Sequence, residues 1–205
     1  MSSKKTQKTT KKSTTTQPIR DKKQVQALIN YYLQRGQIRN YLLITMGIYT
    51  ALRISDLLKL TVGDIYDFKQ NRLHKTITIV ESKTGKSKII ALNKNCLSAL
   101  KHYLHNSPPH HPRQVLFANQ KSGKPISRVQ AYRIIRAAAE ELDFSQAVSC
   151  HSLRKTFGYH SWKNGTSPAV IMEIYNHSSL SATRRYLGVC QDDKNKVYMG
   201  LDFII

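Results

Sequence analysis

The sequence predicts a mainly α-helical fold with a small antiparallel β-sheet. Three observations carry that reading. Apolar residues recur at helical spacing from Gln24 onward, beginning with Val25, Leu28, Ile29, Tyr32 and Leu33. Helix-start signals punctuate later segments, at Asn93, Ser149 and Ser167-Pro168. β-rich character is confined to two adjacent runs, 76–80 (Thr-Ile-Thr-Ile-Val) and 87–92 (Ser-Lys-Ile-Ile-Ala-Leu), with a glycine-containing turn between them.

Taken in order, residues 1–17 are nearly all Ser, Thr, Lys and Gln and cannot bury apolar surface. A disordered basic tail is therefore expected over 1–19, either a flexible arm on nucleic acid or a solvated leader. A folded domain is expected over 20–189. Its first helix closes at Arg35-Gly36, and a second, mostly buried helix runs from about Asn40 to Thr50. Ser55 reads as the N-cap of a short helix with Asp56 in its first turn. Arg53 then sits at a bend behind two apolar residues, either as an ion-pair partner, with Asp56, or as an anion clamp.

The β-hairpin carries Lys83, Lys86 and Lys88 in and beside its turn. The helix from Asn93 ends before Pro108-Pro109. His102, His105, His110 and His111 gather there without carboxylates or a cysteine pattern, and the prolines make a loop, so no metal site is expected. Gln114 to Ala118 is a short strand or turn. An amphipathic helix over 127–142 places Val129, Tyr132, Ile135, Ala139 and Leu142 on one side, with Arg128, Arg133 and Arg136 elsewhere as a DNA-facing surface. Ser149 caps a helix from Cys150 to about Lys163, closed by Asn164-Gly165. Another helix begins at Ser167-Pro168 and runs through Ile174. A turn at 176–179 carries His177, and a short helix or extended segment carries Thr183 to Leu187. Residues 190–205 form a C-terminal segment that starts polar and ends Leu201-Asp202-Phe203-Ile204-Ile205. It is expected to dock on its own body or on a neighbouring subunit.

The chain holds 33 basic and 12 acidic residues among 205, a formal net charge of +21. The tail does not account for this. Residues 1–23 hold eight basic residues and one acid, and the remaining 25 basic and 11 acidic residues still leave +14. Such a charge points to a nucleic-acid partner, because Lys and Arg displace counterions condensed on a phosphate backbone. The three cysteines, Cys96, Cys150 and Cys190, form no CxxC pair, which fits a reducing cytoplasm. No apolar run approaches a membrane span, and no apolar core follows the basic N-terminus as a secretory signal requires.

The chemistry concentrates in residues 151–186. His151 and Arg154 are three apart and share a helical face. They occupy the first turns of their helix, where free N–H groups and the dipole favour an anion. His177 follows, and Tyr186 comes nine residues after it. This set suits a site that holds a phosphate with cations and attacks it with a phenol. Cleaving a phosphodiester without metal requires an in-line nucleophile, cations for the charge on the phosphoryl oxygens and a proton for the leaving oxygen. A phenol with pKa near 10 is only about one part in a thousand ionised at pH 7, so Tyr186 needs cations or a base beside it. Arginine matches the phosphate oxygens. A lysine on a hairpin tip can act as the acid when neighbouring cations lower its pKa.

These stretches resemble the catalytic domain of the tyrosine recombinases, the phage-integrase family. The matching pieces are Ala51–Leu60, Ser82-Lys83-Thr84-Gly85-Lys86, His151-Ser152-Leu153-Arg154, His177-Ser178-Ser179-Leu180-Ser181-Ala182-Thr183 and Tyr186, in the family's order and with its spacing from His177 to the tyrosine. The resemblance implies the tyrosine recombinase catalytic-domain fold and site-specific strand exchange through a 3′-phosphotyrosyl link on Tyr186, without metal, ATP or other cofactor. It implies that Arg53 and Arg154 clamp the non-bridging oxygens, Lys83 protonates the leaving oxygen, His151 acts as acid and base, His177 bonds the phosphate, and Asp56 orients the cations. Lys86 and Lys88 are alternatives for the hairpin lysine and otherwise DNA contacts; Tyr175 and Tyr198 are rival nucleophiles without the matching spacing. The implied partners are double-stranded DNA with a specific site and further copies of the chain, a tetramer on DNA. The implied setting is a bacterial, phage or mobile-element protein in the cytoplasm, at the nucleoid. Two other readings use the same fold: a type IB topoisomerase-like strand-relaxing enzyme, and a non-catalytic DNA-binding regulator.

The sequence departs from the family pattern at Ala51 (usually Gly), at Tyr175-Asn176 (usually Leu-Gly) and at Lys155 (often His). The family's separate core-binding domain does not fit before Gln24. The chain resembles the short fimbrial phase-variation recombinases in this, or is a truncated form.

Overall fold

The computed structural model describes residues 16–201, the side chain of Asp192 excepted. Ten helices and four short strands follow in chain order among these residues. Helix α1 (Lys22–Leu33) is capped by Asp21, whose carboxylate accepts from the Lys23 amide at 2.7 Å. It buries Val25, Leu28, Ile29 and Tyr32, the stripe its periodicity announces. Helix α2 (Ile38–Tyr49) is apolar almost all round and lies at the centre, against α1, α5 (Lys94–Asn106) and α7 (Cys150–Lys163). Gly47 permits the close approach of α7, since a Cβ there would come within 2.7 Å of Leu153 Cδ1.

After α2 the chain turns through Ala51, which holds a left-handed φ of 55°. This is where the family usually has glycine. An alanine in that conformation costs roughly 1–2 kcal/mol, and here its methyl is fully buried. One-turn helices α3 (Ile54–Leu57) and α4 (Val62–Ile65) follow. Ser55 is not the N-cap of α3; Arg53 holds that place with extended backbone, so its side chain leaves the bend at the mouth of the site.

Strands β1 (Tyr66–Asp67) and β2 (Arg72–Leu73) form a minimal hairpin that the sequence pattern did not announce, being too short for alternation to register. Strands β3 (Thr76–Val80) and β4 (Ser87–Ala91) form the expected one, with Thr78 opposite Ile89. Ile77, Ile79 and Ile90 face the core. Instead of a further strand, Val115 and Ala118 make isolated bridges to Thr61 and Pro125.

Helix α6 (Arg128–Glu141) starts at a Ser127–Gln130 capping box. Its buried face is Ala131, Ile135, Ala138 and Ala139; of the expected stripe Ile135 and Ala139 are buried and Leu142 half-buried, whereas Val129 and Tyr132 are exposed. The alanines let α6 sit close enough for Tyr32 Oη to donate to the Ile134 carbonyl at 2.7 Å. Helices α7, α8 (Pro168–Tyr175) and α9 (Leu180–Leu187) pack on one another, joined at left-handed Asn176, with φ 50°. Helix α10 (Gln191–Met199) ends the described chain and is tied to α7 by the Lys163–Asp193 ion pair.

The folded part begins before residue 20. Ile19 is fully buried beside α1 and α7, and its amide donates to Thr156 Oγ1 at 2.9 Å. Residues 16–19, expected in the tail, are seated here by more than Ile19: the Lys155 ammonium donates to the Thr16 carbonyl, and His160 Nε2 lies 3.0 Å from the Ile19 carbonyl. The rest of the expected basic tail, and Asp202–Ile205 of the apolar end, lie outside the described residues. Among the described residues no helix is long and apolar enough to cross a membrane.

Candidate active site

Where α3, the β3–β4 hairpin, α6 and α7 meet, a cleft of about 420 Å³ is lined by Arg53, Ser82, Lys83, Arg128, His151 and Arg154. Arg154, on the second turn of α7, is 2% exposed. Its Nη1 donates to the Ala51 carbonyl and its Nη2 to the Tyr175 carbonyl at 2.9 Å. Its guanidinium stacks 4.5 Å from the Tyr175 ring centroid. Burial and the neighbouring Arg53 lower its pKa, yet a guanidinium stays charged. Among the described residues no carboxylate pairs with it. A buried cation held only by carbonyls and a ring face leaves the cleft in need of an anion.

Arg53 reaches the same place from α3. Its Nη1 is 2.8 Å from Glu81 Oε2, and its Nη2 donates to the Tyr175 carbonyl at 3.4 Å. Its ion-pair partner is Glu81, not Asp56. Asp56, 4% exposed, accepts instead from the Ser82 amide at 3.0 Å and so anchors the hairpin shoulder beside Lys83. Lys59 Nζ holds Ser82 Oγ at 2.8 Å from the other side.

The three hairpin lysines separate cleanly. Lys83 lines the cleft. Lys86 is exposed at the tip. Lys88, expected as a DNA contact, turns inward and donates to the Ile174 carbonyl. Burial first, then Arg154, pulls its pKa down to about 8. The reason is its register: Lys88 sits opposite Ile79 and points to the same covered side of the hairpin.

His151 lies on the first turn of α7 with Nδ1 3.4 Å from the Tyr186 hydroxyl. Desolvation, then Lys155 and Arg154, hold its pKa below the ordinary histidine value, which favours the neutral imidazole. His177 follows the left-handed Asn176, and its Nδ1 is 3.1 Å from Thr183 Oγ1. Burial and the charges of Arg154, Arg53 and Lys83 depress it to about 4. The His177 and Tyr186 rings meet edge-on at 4.8 Å. Tyr186 does not itself line the arginine cleft. It faces an adjoining basic pocket with Arg20, Lys155, Arg184 and Arg185, and reaches the cleft through His151. Lys155, in the place of a frequent family histidine, puts its ammonium 5.4 Å from the Tyr186 ring centroid.

Of the rival tyrosines, Tyr175 is fully buried and donates to the Arg154 carbonyl at 2.6 Å. Burial pushes its phenol well above the usual range. It fills space over Gly158, where any Cβ would collide with its hydroxyl. Tyr198 is 74% exposed on α10. The α6 arginines divide as well. Arg128 lines the cleft, Arg133 lines a separate hollow with Arg39 and Lys121, and Arg136 is held on its own helix by Glu140 and Tyr132. Sequence reasoning missed Glu81 and Asn176. One signal was present: Glu81 is the only acidic residue between Asp67 and Glu140, and it directly precedes the hairpin turn.

The sequence pattern of the phage integrase family matches residues 19–192. The probable integrase/recombinase YoeC of Bacillus subtilis is 38% identical over 182 residues, covering 89% of this chain and 94% of that protein. Against the Xer tyrosine recombinases of Corynebacterium glutamicum and Pelobacter propionicus the chain covers only 52% and 47% of their length, at 26% and 32% identity over 80% and 73% of this chain. The crystal structure of the XerA recombinase superposes with a TM-score of 0.74 at 21% identity, over 94% of this chain and 66% of that one.

Proposed function

The chain belongs to the phage integrase family, and we propose that it is a site-specific DNA recombinase whose nucleophile is Tyr186. The Tyr186 oxygen attacks the scissile phosphorus as His151 Nδ1 accepts its proton. The bond to the 5′-oxygen breaks, and that oxygen takes a proton from Lys83. The products are a 3′-phosphotyrosyl link and a free 5′-hydroxyl. A 5′-hydroxyl of a partner strand reverses the step, so the phosphodiester energy is conserved. Arg53 and Arg154 carry the charge on the non-bridging oxygens, and His177 hydrogen-bonds one of them. Attack requires Tyr186 to turn from its own pocket toward the cleft.

The observation that carries this reading is Arg154. It is a buried guanidinium with no carboxylate partner among the described residues; it shares the Tyr175 carbonyl with Arg53 and lines a cleft with His151, whose Nδ1 meets the Tyr186 hydroxyl. The partner is double-stranded DNA with a specific site, consistent with the charge of the folded part. Strand exchange needs two duplexes and four active sites, hence a tetramer on DNA, with the exposed apolar side chains of Val197, Tyr198, Met199 and Leu201 covered by a neighbour. The setting is a cytoplasm, at the nucleoid.

The test is covalent capture. A randomised duplex pool is incubated with the chain, and DNA that stays on protein in detergent is recovered and sequenced. Wild type should capture a defined sequence and Tyr186→Phe none. Equal capture by both contradicts the reading.

A further inference from the structure

Three parts of the site are tied to one carboxylate oxygen. Glu81 follows β3 directly and is 1% exposed. Its Oε2 lies 2.8 Å from Arg53 Nη1, accepts from Asn176 Nδ2 at 2.8 Å and from Thr84 Oγ1 at 2.9 Å. Arg53 comes from the α3 bend, Thr84 adjoins Lys83 in the hairpin turn, and Asn176 adjoins His177 in the α8–α9 turn. These segments are far apart in sequence and share no strand or helix.

Burial by itself would raise the Glu81 carboxyl, but Asn176, Arg53 and Thr84 outweigh it and hold it below its ordinary value, so it remains an anion. Its second oxygen, Oε1, has no hydrogen-bond partner among the described residues. A buried carboxylate with an unpaired oxygen costs free energy. Filling the same space with an apolar side chain would avoid that cost. It would also leave Arg53 free to turn, and the hairpin and the His177 turn untied. Asn176 fits the same scheme: it accepts a left-handed φ of 50° that a glycine would take without strain, and its amide is what reaches Glu81.

We propose that Glu81 is a positioning residue for strand cleavage. Its carboxylate holds the Arg53 fork, the hairpin carrying Lys83 and the turn carrying His177 in one register. This rests on the reading that the site cleaves DNA, and it adds a residue which that reading does not use.

The test is single-turnover cleavage of the duplex recovered by covalent capture, with rate constant, active fraction and half-saturating DNA concentration measured separately. Glu81→Gln keeps the shape and an acceptor oxygen but removes the charge that holds Arg53. It should slow cleavage roughly 10- to 100-fold, the scale of a small misplacement of reacting groups. The half-saturating concentration should stay within about twofold, because affinity is spread over many phosphates. Asn176→Gly and Thr84→Val should each slow cleavage less, and each should have a smaller effect when Glu81→Gln is already present. A wild-type rate constant in Glu81→Gln overturns the proposal, as does a loss confined to active fraction and melting temperature. If Glu81→Gln does not fold, wild-type rate constants in both Asn176→Gly and Thr84→Val overturn it. Absence of a Tyr186-dependent adduct with the wild-type chain overturns the parent reading as well, and so is told apart from failure of this step alone.

Discussion

The Tyr186 hydroxyl stands 3.4 Å from Nδ1 of His151, although the two side chains face different pockets. His151 is the one bridge between the phenol and the arginine cleft that the described hydrogen bonds contain. A base serves here only when neutral. Desolvation, Lys155, Arg154 and Arg53 all hold His151 below 6.5. Cleavage should therefore be level near neutral pH and fall only as the pH drops below 6.5. Lys155→Gln removes a cation that opposes protonation, so it should move this acid limb to higher pH. Single-turnover rates from pH 5 to 8 check both points, and an unmoved limb in Lys155→Gln contradicts the role given to His151.

Lys83 can be tested through the leaving group. An alcohol leaves only with a proton, whereas a thiol, with a pKa near 8.5, leaves without one. Lys83→Ala should slow cleavage of an ordinary strand by roughly 10²- to 10⁴-fold, and a sulfur in place of the 5′-bridging oxygen should restore most of the rate. Lys86→Ala and Lys88→Ala should show no such rescue. Rescue in Lys88→Ala would instead mean that the inward lysine supplies the proton.

His177 couples the site to stability. Its pKa is about 4 in the fold against 6.5 as the ordinary value. Between those values the unfolded chain binds the proton first, so the contribution is complete above pH 6.5 and is lost as the pH falls toward 4. The loss is at most about 3 kcal/mol, since one unit is worth 1.36 kcal/mol, and less for a partly exposed ring. Urea midpoints at pH 7 and 4.5 should differ less in His177→Gln than in wild type.

Much of this site is readable from local chemistry, and the remainder is not for a definable reason. Helix α7 runs from Cys150 to Lys163 as its Ser149 cap and Asn164-Gly165 stop require. The hairpin runs as its β-branched alternation requires. Caps and alternation are short-range, so a single chain displays them. The partners of Arg53 and Asp56 are long-range: each was open to the other by proximity, and each instead bonds the hairpin shoulder. Lys88 carries no mark of its inward turn beyond its strand register. The α6 face is only half legible: large apolar residues such as Val129 and Tyr132 outweigh alanine in a periodicity count, while close helix packing prefers Ala131 and Ala138. Ile19 stood in a run of polar residues, and its order comes from α7.

The C-terminal helix offers a test of assembly. Val197, Tyr198, Met199 and Leu201 are 64%, 74%, 86% and 61% exposed, a run of apolar surface that a neighbouring subunit would cover. Deleting residues 196–205 should weaken assembly on DNA while leaving the melting temperature of the monomer nearly unchanged. Gel-shift stoichiometry together with thermal melting decides it, and full assembly after the deletion contradicts docking in trans.

The most direct measurement is peptide mapping of the captured adduct. After nuclease and protease digestion, mass spectrometry should find a 3′-linked nucleotide on the peptide containing Tyr186. A nucleotide on the Tyr198 peptide, or on any residue other than Tyr186, would contradict the assignment of the site.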